Sequence, residues 1–131
     1  MRYLIMMNLP AATSDYTHQE WAPEAWKAHR AAHEKLNAEL KERGELVGIE
    51  ALTTPKQAKL IHSDANGLPK TDGVFAESKE FLAGFWVIDV DSPERAYEVA
   101  ARASAAPGPD GKPLNMPIEV REVMMSGTKN G

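Results

Sequence analysis

Residues 71–100 read TDGVFAESKEFLAGFWVIDVDSPERAYEVA, and the fold follows from that run. Phe81 to Val90 is apolar at successive positions, so both faces of a strand there are covered and it belongs in the middle of a sheet. Ser92 is a helix N-cap, Pro93 suits the first helical position, and Glu94 lies near the positive end of the helix dipole. Ala96, Val99, Ala100 and Ala103 then recur at helical spacing and form a buried stripe. Asp72-Gly73 opens the run with a turn-forming pair.

Working outward, Tyr3, Ile5, Met7 and Leu9 alternate with Arg2 and Asn8, which predicts a first strand over 2–9 ended by Pro10. Residues 11–20 are polar and aperiodic and read as a loop. A helix is expected from Pro23 to Arg43, stopping at Gly44. Residues 45–52 predict a second strand, Pro55 breaks it, and 56–63 predict another short one. Asn66-Gly67 marks a turn, and 69–73 reads as loop. PGPDGKP at 107–113 is a loop, 117–125 a last strand, and 126–131 a flexible tail beyond a single domain at 1–125. The order β–α–β–(short β)–β–α–β, with both helices on one face, is a ferredoxin-like α+β sandwich. Its central strand is apolar on the far face too, through Phe85 and Val87 or Trp86 and Ile88. A second copy of the sheet is the economical cover, so a homodimer is expected.

With 131 residues the chain suffices for one core without staples. The absence of cysteine excludes disulfides, thiolate metal sites and a cysteine nucleophile, and suits a reducing cytoplasm. Fifteen basic against nineteen acidic residues give a formal charge of -4, with no basic stripe for nucleic acid. MRYLIMMNLPAA reads as a strand rather than a signal peptide, and no apolar run reaches membrane-spanning length. The expectation is a cytoplasmic protein.

Trp26, His29, His33, Leu36 and Leu40 stand three and four apart on the first helix, and the leucines fix that stripe as the one facing the sheet. The histidines therefore lie inward near the helix N-terminus. They are either rim imidazoles bonded to backbone or water, or titratable groups of a site. Their i, i+4 spacing would also suit zinc, but Arg30, Ala31 and Ala32 lie between them without a metalloprotease glutamate, and no native metal or other cofactor is expected. Trp26, Phe75 and Trp86 are either core or walls of an apolar pocket for a flat organic ligand. No nucleotide-binding or serine-hydrolase motif is present.

The same segment resembles the signature of YCII-related proteins of the DGPF type, roughly DGPFxExKExLxGxxxIDVxSxxEAxxxA. Asp72, Gly73, Phe75, Glu77, Lys79, Glu80, Leu82, Gly84, Ile88, Asp89, Val90 and Ala96 fit it, with Val74 in place of the proline. The resemblance implies the ferredoxin-like dimeric α/β barrel fold. It also matches His33, eleven residues before Gly44, to a helix-one histidine associated with acid–base chemistry in a cleft. Asp72 then either holds its turn or orients His33, and Glu77 is either solvated charge or part of the same loop site. His29, Trp26, Phe75 and Trp86 would complete a small-molecule site. Two functions follow as expectations: cofactor-independent proton transfer through His33 and Asp72, or a non-catalytic partner module tied to extracytoplasmic-function sigma factors, as DGPF-type domains are.

Overall fold

The structure is a computed structural model that describes residues 1–10, 21–74 and 80–127, with the backbone alone at 72–74. Its elements run β1 (Arg2–Pro10), α1 (Pro23–Glu42), β2 (Leu46–Ala51), a short 3-10 turn (Pro55–Gln57), β3 (Lys59–Ser63), β4 (Pro69–Val74), β5 (Glu80–Asp89), α2 (Pro93–Ser104) and β6 (Ile118–Glu122). The main sheet is antiparallel in the order β2-β5-β1-β6. That is the ferredoxin-like α+β arrangement, with β5 central as its sequence requires. Among the described residues no helix is long and apolar enough to cross a membrane.

Local chemistry sets the helix ends. Pro23 opens α1, and Gly44 follows its C-cap at φ +71, a left-handed position where glycine has no Cβ to clash. Ser92 Oγ accepts from the Arg95 N–H at 3.2 Å, which satisfies one orphan donor of α2. The whole predicted stripe of Ala96, Val99, Ala100 and Ala103 is buried. It meets Leu36 and Leu40 of α1 and Tyr3, Ile5, Trp86 and Ile88 of the sheet in one core. Burying side chains of this size contributes about 1.5–3 kcal/mol each for the larger ones.

A register shift governs one end of the sheet. Met7 pairs with Gly84, but Asn8 pairs with Leu82, so Ala83 is the extra residue of a bulge. Beyond it the alternation of β5 changes phase, and Phe81, opposite Leu9, joins the helix-facing side that carries Trp86 and Ile88. Gly84 is required at the same place: a Cβ there would stand 2.8 Å from the Glu50 carbonyl oxygen of β2.

Three expectations need correction. Residues 69–74 form β4 rather than loop, paired with β3 in a two-stranded sheet of its own. Asp72-Gly73 falls at a register irregularity within that strand, since Lys59 faces Val74 while Ile61 faces Thr71. The turn is made instead by Asp64, whose Oδ1 accepts from the Asn66 and Leu68 N–H groups at 2.8 and 3.0 Å, with Gly67 at φ +80. The last strand is shorter than 117–125, because pairing with β1 spans only Ile118 to Glu122. The 107–113 loop is also tightly built. Gly108 N–H donates to Lys112 O at 2.8 Å, Leu114 N–H to Ala106 O at 3.0 Å, and Pro107 bridges to Pro113. The expected 11–20 loop and all of the expected tail except Ser126 and Gly127 lie outside the described residues.

Candidate functional site

The bulge, the N-terminal half of α1 and the 107–116 segment enclose a cavity of about 460 Å3. This lies in the usual range for small-molecule pockets, about 300–1,000 Å3. The end of β1 contributes Met7, Leu9 and Pro10, and β5 contributes Phe81 and Ala83. Trp21, Trp26 and His29 form the α1 side, Leu114 and Met116 the loop side, and Ala51 to Thr54 complete the lining. Among these described residues none bears a fixed charge, and His29 is the one titratable group.

His29 is 9% exposed, and its Nδ1 lies 2.9 Å from the Pro107 carbonyl oxygen. A carbonyl only accepts, so Nδ1 carries the hydrogen and donates it. In the neutral ring the lone pair is then on Nε2. The compact 107–114 loop is what holds this carbonyl in place. Gly108 lies close against Leu114, whose side chain would have to turn aside for a Cβ there, 2.6 Å from Cδ2.

Five rings run in succession from the cavity into the core. Trp21 and Trp26 are 4.8 Å apart between centroids, and Trp26 meets His29 edge-on at 5.3 Å. His29 meets His33 at 4.5 Å, and His33 meets Trp86 at 5.3 Å and 89°. The α1 spacing of three and four residues stacks Trp26, His29 and His33 on one face. Asn37, one turn beyond His33, accepts from Trp86 Nε1–H at 2.7 Å and ties the inner end of the row to β5.

His33 therefore stands one ring behind the wall. Its Nε2 is buried and has no hydrogen-bond partner among the described residues. Burial disfavours the charged imidazolium and holds its pKa below the usual value, and the neighbouring His29 adds to that, while the Ala103 backbone opposes it.

Of the predicted site residues, Trp26 and His29 reach the cavity and His33 touches His29. Trp86 is 3% exposed and packs in the core behind His33. Asp72 is placed by its backbone in β4, while its side chain, Phe75 and Glu77 lie outside the described residues. Reading the sequence missed Trp21, Phe81, Leu114, Met116 and the Pro107 carbonyl. The glycines and prolines of PGPDGKP marked a plain loop, and a backbone acceptor within it leaves no side-chain signature. Phe81 was hidden by the bulge that reverses its face.

A family model described as the YCII-related domain matches residues 1–108. No curated protein matches the chain.

Proposed function

The chain belongs to the YCII-related family, and from that premise we propose that it binds a small organic molecule in the α1 cavity and moves a proton there without a cofactor. The observation that carries this reading is His29, a titratable ring on an otherwise uncharged wall, with Nδ1 engaged by Pro107. Nε2 is then the base that meets the ligand, and the Pro107 carbonyl steadies the imidazolium formed when it takes a proton. His33 is the positioning residue behind it. Burial disfavours a charged His33. The orienting part expected of Asp72 passes in this reading to the Pro107 carbonyl. Cofactor-independent proton transfer is the chemistry that analogy with dimeric α/β barrel folds suggests for such a cavity.

The test is a thermal-shift screen of apolar metabolites, followed by hydrogen–deuterium exchange at the carbon positions of whatever binds. A ligand should raise the midpoint by mass action. Ala83→Phe, which fills the cavity, should remove the shift. His29→Gln should remove exchange while Asp72→Asn leaves it. A silent panel removes the binding role, and binding without exchange in any ligand removes the proton transfer.

The active form in this reading is a homodimer joined through the sheet face away from the helices. Leu4, Met6, Phe85 and Val87 share that face by register and stay partly exposed in one chain. A second reading, a partner module linked to extracytoplasmic-function sigma factors, draws on the β3–β4 hairpin. Ile61 and Leu68 there are 56% and 60% exposed. It predicts a stable complex with such a factor that survives His29→Gln and is lost on Ile61→Lys; no complex between the purified proteins rules it out.

A further inference from the structure

The described lining of the cavity restricts what the ligand can be. Leu9, Phe81, Leu114 and Met116 offer no hydrogen bonds, and the indole rings of Trp21 and Trp26 lie side by side at 4.8 Å as an aromatic wall. A ring system meets such a wall by offset or edge contact. An anionic ligand would face the electron-rich sides of these rings with no fixed cation among the described residues to balance it. His29 turns its donor, Nδ1–H, to Pro107 at 2.9 Å. What remains to the ligand in the neutral ring is an acceptor. Thr53, which is exposed, and Thr54, which is half-buried, add hydroxyls to the lining, and the two tryptophans add indole N–H donors.

Resting on the proposed binding role of this cavity, we infer that its ligand is an uncharged, ring-bearing apolar molecule that presents one hydroxyl to His29 Nε2, a phenol or a ring enol. A hydroxyl donor satisfies the lone pair, and the rest of the molecule replaces water against apolar walls. Ketones, ethers and esters bring only acceptors and leave Nε2 unmatched, while carboxylates bring a charge that no fixed cation among the described lining residues balances.

Isothermal titration calorimetry at neutral pH with four probes of one shape tests this: β-naphthol, its methyl ether, naphthalene and β-naphthoate. β-Naphthol should bind about tenfold tighter than the other three, the loss that follows when a buried polar group is left unmatched. In His29→Phe the preference should collapse while naphthalene still binds. If the variant does not fold, the four probes on the unmodified protein decide the matter alone. Equal binding of naphthalene, ether and naphthol, or tighter binding of naphthoate, overturns the hydroxyl assignment and leaves the cavity reading standing. Binding of none of the four overturns both.

Discussion

His33 shows how far the place of one residue is legible in the sequence. Its spacing from Leu36 and Leu40 put it on the inward stripe, and that is where it lies. Its neighbour one turn earlier, His29, is the one that reaches the cavity, because the helix end overhangs the bulged end of the sheet. The burial of His33 has a consequence for stability. Its pKa is lowered by folding, so the folded chain binds fewer protons than the unfolded one, in which the ring titrates near 6.5. The contribution is full above that pH and is lost as pH falls through the lowered folded value. Urea denaturation of the wild-type chain should show stability falling with pH below about 6.5, and His33→Leu should make that fall shallower. An unchanged pH slope in the variant means the ring is not held neutral by its surroundings.

At the scale of elements, α2 was legible almost residue by residue, since cap, proline and apolar stripe are local signals. Its ion pairs with α1 and with Glu45, just before β2, were not. Arg95 donates to both Glu45 oxygens, at 2.9 Å from one guanidinium nitrogen and 3.1 Å from Nε, and to Glu39 at 3.4 Å and Glu98 at 3.1 Å. Arg102 also pairs with Glu39. Arg95 and Glu45 side chains are 12% and 11% exposed, so this pair is largely out of water. The hydrogen bonds from Arg95 hold the Glu45 carboxyl below its usual range against the desolvation that would raise it. Arg95→Met leaves the largely buried Glu45 carboxylate with Arg43 alone, whose Nε lies 3.0 Å away on a more exposed side chain, and should cost about 3 kcal/mol in urea denaturation. Arg95→Met with Glu45→Leu should recover most of it; no recovery would mean the loss comes from packing rather than the under-compensated charge. β4 lies at the other extreme. Pro69, Asp72 and Gly73 all weigh against a strand locally, and only pairing with β3 makes one.

For the whole molecule, the four-stranded sheet has helices on one face and partly exposed apolar side chains on the other. Light scattering coupled to gel filtration should give a dimer, and Phe85→Glu should convert it to a folded monomer by burying charges opposite one another. A wild-type monomer at micromolar concentration removes this assembly. What the sequence determined by itself was the two helices, the four strands of the main sheet and the ferredoxin-like order. Periodicity and capping are local, and two helices with one-sided stripes can only be buried together against one sheet. What the tertiary structure alone decided was the cavity that forms the candidate site. A one-residue bulge at Ala83 turned Phe81 inward, and a loop closure brought the Pro107 carbonyl to His29, 78 residues earlier in the chain. Register and backbone acceptors depend on which segments meet, and no single segment encodes that meeting.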